Sequence, residues 1–461
     1  MSTPRLDAPT LPGGSGSARG LGVADASLLI VGSMVGAGIF LMAPYVAQDA
    51  RTPGAFLGTW VLGGVVALSG ALSNGELGGM FPRSGGEYVY LREAYGPCFG
   101  FLSGWTTFWI AFPGSIAALA AGFGSAMADM SGAKSAHAAS AIAVTAILTL
   151  TTLNALGLQP GKWVQNALSA SKLGAFAALL ILGAFVSRPT SLEAARASSG
   201  WSGIAMGLVP AMFAYSGWNA ATYIAGELRD PARSLGRSLA IGTLICTALY
   251  VAVNLSYMRA MSLAELANAV DPARVTALRL GGARVAACLG PLVALCILSS
   301  LQATIQVGPH LYRSMSVDGV FFRWLGLTDA KTQAPLAGLA AQAAVAIVEL
   351  LSNRFDQLIT LVMVPLLGFS TLTVAGVVVL RLRRPAASRP FRAPLYPLIP
   401  FLFVAVNLWV LWSVVAHGSV DAIAIGSWRL PSIFVGATIV ATGVPVYFAF
   451  RAHARAQEPV R

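Results

Sequence analysis

Apolar runs of about twenty residues, separated by short polar links, fill almost the whole chain. Twelve of them stand near 24–46, 54–80, 97–128, 138–157, 165–188, 204–226, 236–260, 285–313, 335–351, 356–380, 396–417 and 432–451. About 20 predominantly apolar residues are needed for one α-helix to cross the hydrocarbon core of a bilayer. The pattern predicts an all-α polytopic membrane protein with about twelve transmembrane helices. Between 260 and 284 the spacing predicts a short amphipathic helix on the extracytoplasmic side, and 381–395 reads as a basic, proline-rich cytoplasmic connector.

Two of the runs are interrupted. The first contains Gly32-Ser33-Met34-Val35-Gly36-Ala37-Gly38-Ile39-Phe40. Each glycine lowers helix stability by about 1 kcal/mol relative to alanine. A spanning segment can leave backbone groups unpaired only where they line a cavity or are buried in protein. A discontinuous helix fits, with a second half starting near Gly38 and offering its N–H groups and positive dipole end to an anion. Gly32 and Gly36 also suit a small-xxx-small packing face. The sixth run holds Phe213-Ala214-Tyr215-Ser216-Gly217-Trp218-Asn219-Ala220, a second break five helices later. Paired interruptions in corresponding helices point to an inverted repeat with a binding site at its interface; a Ser/Gly packing kink is the alternative.

Charge fixes the orientation. Only 10% of the 461 residues are charged and 56% are hydrophobic, where a soluble domain carries about 25% charged residues. The net charge of +12 comes from basic residues in short loops, so membrane topology accounts for it and nucleic acid is not an expected partner. Nineteen lysines and arginines fall on the side of the N-terminus and ten on the other, with Lys172 left inside a span. The excess places both termini in the cytoplasm. Residues 1–20, rich in Gly, Ser, Pro and Ala, read as a disordered tail with no signal peptide. Cys98, Cys246, Cys288 and Cys296 lack metal-like spacing and read as small membrane hydrophobes.

Lys172 is the third anomaly. It either snorkels to the interface or is a functional intramembrane ammonium, able to hold or release a proton. Glu76 and Glu227 lie near span ends and read as capping or loop-pairing residues. Four scattered histidines, no Ser/His/Asp set and no phosphate-cradling loop argue against an enzyme, and no filter-like motif suggests a channel. No cofactor is expected.

These residues carry a resemblance. The 32–40 stretch is similar to the first-helix signature of the amino acid–polyamine–organocation (APC) superfamily. Phe213 to Tyr223 resembles its sixth helix as found in L-type amino acid transporters and their bacterial relatives. Further matches run from Gly70 to Pro97, with Met80-Phe-Pro-Arg-Ser-Gly-Gly-Glu-Tyr at the centre, then Gly226-Glu-Leu-Arg-Asp-Pro231 and residues 382–385. The resemblance spans roughly residues 20–455.

It implies a five-plus-five inverted repeat: residues 21–190 as the first repeat, 191–380 as the second, two extra helices over 396–451, and a cytoplasmic tail over 452–461. It implies that amides around Met34, Val35, Gly36, Ala37 and Gly38 hold a substrate α-carboxylate. Carbonyls around Phe213, Ala214, Tyr215 and Ser216 would hold the α-amino group, with Phe213 as the outer gate. Asn219 matches a pocket position that is Asn in L-type members, which favours neutral amino acids. Lys172 matches a lysine standing where sodium sits in sodium-coupled relatives. Departures from the family pattern are Ala37 for serine, Gly308-Pro-His310 for Gly-Pro-Arg, and Asn74-Gly75 for Tyr-Ala. The loop 129–137 lacks the cysteine of animal L-type members, so no disulfide-linked heavy chain is expected. The expectation is a multi-pass protein of the bacterial inner (plasma) membrane that exchanges neutral L-amino acids without sodium. The alternative is a proton-coupled symporter with Lys172 as the titrating group.

Overall fold

The computed structural model describes residues 20–36, 38–133, 135–185, 200–269, 271–352, 355–417, 422–425 and 428–456. Ala37, residues 1–19 and residues 457–461 lie outside them.

The first crossing is made of α1 (Val23–Met34), α2 (Gly38–Leu41) and α3 (Ala43–Ala50). The second is α4 (Pro53–Met80), followed by the short α5 (Glu87–Tyr95). The third joins α6 (Pro97–Thr106) to α7 (Phe112–Ser131) through a wider turn at Thr107–Ala111. Crossings four and five are α8 (Ala136–Ala155) and α9 (Leu158–Phe185). The sixth splits into α10 (Gly200–Tyr215) and α11 (Ala220–Tyr223), and the seventh is α12 (Pro231–Ala260). After the one-turn α13 (Leu263–Ala267) comes the long α14 (Pro272–Val317). The last four crossings are α15 (Leu336–Ser352), α16 (Phe355–Arg383), α17 (Leu398–His417) and α18 (Ser432–Ala456). Between the final two, β1 (Ala422–Ile425) and β2 (Trp428–Pro431) pair antiparallel, Ile423 opposite Leu430. The chain is thus an all-α polytopic membrane protein with discontinuous first and sixth helices.

Local chemistry sets the helix starts. The Thr52 hydroxyl accepts from the Ala55 N–H at 3.2 Å and Pro53 opens α4, so one orphan donor is capped and another is missing. Ser262 and Glu265 form a reciprocal capping box on α13, and the Asp271 carboxylate caps α14 at the Arg274 N–H. The amphipathic stretch expected over 260–284 therefore becomes two pieces, α13 and the first turns of α14, with Gly282 (φ 74°) interrupting the second. The fifth crossing starts at Leu158, earlier than the apolar pattern placed it. Lys162, Gln165 and Asn166 make its first turns look like loop in sequence, yet each finds a hydrogen-bond partner within the bundle.

Small residues let the central helices close. A Cβ at Gly75 of α4 would stand 2.8 Å from the Gly236 Cα of α12, backbone against backbone, as tight membrane packing requires. Next to this seam Trp60, Tyr215 and Tyr250 form one buried aromatic group, with ring centroids 4.9–6.2 Å apart and the Tyr215 hydroxyl donating to the Trp60 carbonyl at 3.0 Å.

Candidate functional site

The two breaks lie side by side. A Cβ at Gly38 would meet the Ala214 Cα at 2.6 Å, and one at Gly217 would run into the Ser33 side chain. Residues 33 and 38 thus face 217 and 214, an antiparallel pairing, as two inverted repeats would give. Glycine is required at Gly217 twice over, by this approach and by its φ of 95°.

At the first break α1 ends with carbonyls that have no helical partner, the negative end of its dipole. Lys172 reaches them from α9. Its Nζ donates to the Gly32 carbonyl at 2.9 Å and to the Val35 carbonyl at 2.6 Å, and the side chain is fully buried. It lies fourteen residues into α9, fully buried and bonded inside the bundle, so it does not snorkel to an interface. The Ser300 hydroxyl of α14 adds a bond to the same Gly32 carbonyl at 2.7 Å. The Gly32 carbonyl thus accepts from an ammonium and a hydroxyl, and the Val35 carbonyl from the ammonium.

Sequence reasoning missed Tyr250 on α12. Its hydroxyl sits 2.6 Å from the Met34 carbonyl and 2.8 Å from the Ala214 carbonyl, touching both breaks at once. A single tyrosine in an apolar run reads as core, and only the fold brings it to these carbonyls. Met34, Val35, Ala214 and Tyr215 are buried; Phe213 and Ser216 are half-buried beside the gap, and Gly36 packs toward Ser300. The Ser216 N–H donates to the Phe213 carbonyl at 3.0 Å, closing a turn where α10 unwinds. Asn219 is buried, and its amide donates to the Glu87 carboxylate of α5 at 3.1 Å. Burial pushes that carboxyl up to about 8, with the Asn219 bond opposing. Ala37 falls outside the described residues.

The bundle face on which the chain begins is tied shut beneath the breaks. Asp25 of α1 pairs with Lys162 at 2.9 Å and accepts from Asn166 at 2.9 Å, both on α9. Leu21 forms a short parallel bridge with Leu228. Asp318, just past α14, accepts from Arg83 at 3.1 Å and 3.2 Å, from Tyr88 at 2.7 Å and from Arg92. Burial alone would raise that carboxyl; the bonds from Arg92, Tyr88 and Arg83 outweigh it and hold it below the usual carboxylate range. Glu76 is fully buried, bonds Arg381 at 2.6 Å and 2.8 Å, pairs with Arg389 at 3.3 Å and accepts the Ala393 N–H at 2.8 Å. The basic connector is therefore partly a clamp on α4.

A profile of the family described as amino acid permease matches residues 21–444. The serine/threonine exchanger of Bacillus subtilis (strain 168) is 28% identical over 444 residues, 95% of this chain and 98% of that one. The b(0,+)-type amino acid transporter 1 of Mus musculus is 30% identical over 404 residues, 85% of this chain and 81% of its own. The large neutral amino acids transporter small subunit 2 of Rattus norvegicus is 29% identical over 461 residues, 97% and 83% of the two chains.

Proposed function

The chain belongs to the amino acid permease family, transporters and not enzymes, and from that premise we propose that it exchanges neutral L-amino acids without sodium, by alternating access around the two helix breaks. The single observation that carries the reading is the buried Lys172 ammonium on the Gly32 and Val35 carbonyls. It satisfies carbonyls at the first break that would otherwise call for a cation.

The substrate α-carboxylate binds the amides around Met34 to Gly38, and the α-amino group binds carbonyls of Phe213 to Ser216. Phe213 closes over the substrate from outside, and Asn219 lines the pocket from a position fixed by Glu87. A neutral side chain is favoured because the Glu87 carboxyl next to Asn219 is held in its neutral form by burial and already bonds Asn219. The lysine and arginine count puts both termini in the cytoplasm. The ties from Asp25, Asp318 and Glu76 then belong to a closed inner face, which must loosen for release. Substrate shifts the populations of the outward- and inward-open states through its differential contacts. Similarity to the Bacillus subtilis exchanger along nearly the whole of both chains supports exchange, and a bacterial inner (plasma) membrane as the location. The lipid bilayer is the protein's other partner, and no disulfide-linked heavy chain is needed.

Purified protein in liposomes tests this. Labelled L-alanine in sodium-free buffer should enter vesicles loaded with unlabelled neutral amino acids and be largely excluded from empty ones. Uptake into empty vesicles driven by an inward proton gradient would replace the exchange reading with proton symport.

A further inference from the structure

Below the breaks, towards the face on which the chain begins, two adjoining cavities share Glu227, His310 and Arg313. The deeper one, of about 130 Å³, is also lined by Asn154 and Gln306; the outer, of about 290 Å³, reaches the Arg83–Asp318 pair. The deeper volume is well above what a single water needs and is enough for a small organic zwitterion.

Its walls are incompletely satisfied. Gln306 is 7% exposed, and its Oε1 is buried with no hydrogen-bond partner. The Arg313 Nε is likewise buried without an acceptor. Among the described residues neither Arg313 nor Glu227 makes an ion pair, although both line the same space. Asp318, by contrast, is saturated by Arg83, Arg92 and Tyr88. An unpaired cation, an unpaired anion and an orphaned acceptor around one cavity are complementary to a ligand with a carboxylate at one end and an ammonium at the other. Leaving a buried polar group unpaired is costly, and a ligand removes that cost.

A polar strip of α14 also runs from the level of the break to the cavity. Ser299, Gln302, Gln306, His310 and Arg313 follow one another at helical spacing on one side of α14. The neighbouring Ser300 touches the Gly32 carbonyl at the break. Gln306 is six residues, or about 9 Å of helix, further along. Between the two levels Asn154 and Gln302 exchange reciprocal amide bonds at 2.9 and 3.1 Å, a polar bar across this strip.

We infer that this cavity is a second, inner binding place for an α-amino acid zwitterion, with Arg313 taking the carboxylate, Glu227 the ammonium and Gln306 a ligand N–H or O–H. The inference rests on the exchange reading, in which this face is cytoplasmic. The inner site loads the counter-substrate before the Asn154–Gln302 bar parts.

The test uses full-length protein in vesicles of defined orientation, with L-serine and L-alanine as probes. KM is measured separately for the internal and the external amino acid. Arg313→Gln and Glu227→Gln should each raise the ratio of internal to external KM about tenfold, Arg313→Lys should restore much of it, and Gln306→Leu should raise it less. If exchange persists and the ratio stays at its wild-type value in Arg313→Gln and Glu227→Gln, the inner site is refuted and the cavity holds water only. If those two variants do not fold, Gln306→Leu alone decides, and an unchanged ratio there is equally fatal. Absence of exchange in the wild-type protein would instead overturn the exchange reading itself.

Discussion

Among single residues, burial forces polar groups to find partners. Glu87 is the case with a pH signature. Its carboxyl is pushed up to about 8 from an ordinary 4.5, chiefly by burial. The folded protein therefore binds the extra proton between those values, and its stability falls as pH climbs through that window and levels off above it. Glu87→Gln keeps a neutral side chain of the same shape and does not titrate. Melting curves from pH 5 to pH 9 should show the wild type losing stability relative to the glutamine variant up to about pH 8. A difference between the two that is independent of pH would count against a protonated Glu87. Lys172 and Asn219 could be picked out in sequence as polar residues in apolar surroundings, but their partners could not. Lys172 bonds residues 140 and 137 positions away, and Asn219 one 132 positions away. Glu76 looked like a loop-pairing residue; that it gathers Arg381 from the last turn of α16 and Arg389 from beyond it depends on long-range packing no local pattern encodes.

At the scale of elements, the breaks work as a pair. Glycines mark them in the sequence because a helix interior disfavours glycine, which is why both interruptions were legible. Their mutual contact was not. Gly38 looked like the start of an amide nest, whereas in the fold its missing Cβ also lets α2 rest on Ala214 of α10. Gly38→Val would wedge these elements apart, an overpacking that costs about 1–3 kcal/mol. The variant should stay folded and monodisperse yet lack the thermal stabilisation expected of the wild type in millimolar L-alanine. An undiminished ligand-induced shift would contradict the carboxylate site. Helix limits were legible where capping residues agree with the apolar pattern, as at Thr52-Pro53. They were misplaced at the start of α9, where polar side chains bond inside the bundle, and over 260–284, where Gly282 interrupts the helix.

For the whole molecule, the consequence is a transporter whose face on the side of the N-terminus is fastened by carboxylates while an ammonium and two hydroxyls tie the breaks at its centre. Asp25, Glu76 and Asp318 each join segments distant in sequence, so opening that face means exchanging these ties for water or substrate. Lys172 is a different kind of tie, since its ammonium donates to two backbone carbonyls at the first break. The most direct measurement is exchange of labelled L-alanine by the wild type and by Lys172→Ala, with sodium or choline as the only monovalent cation on both sides. Losing the ammonium leaves the Val35 carbonyl without its donor and the Gly32 carbonyl with only Ser300, at about 1–3 kcal/mol for each unsatisfied group. The account predicts equal wild-type rates in the two salts and a loss of about tenfold or more in the alanine variant. A wild-type rate that collapses in choline, or an alanine variant that exchanges normally, would contradict it.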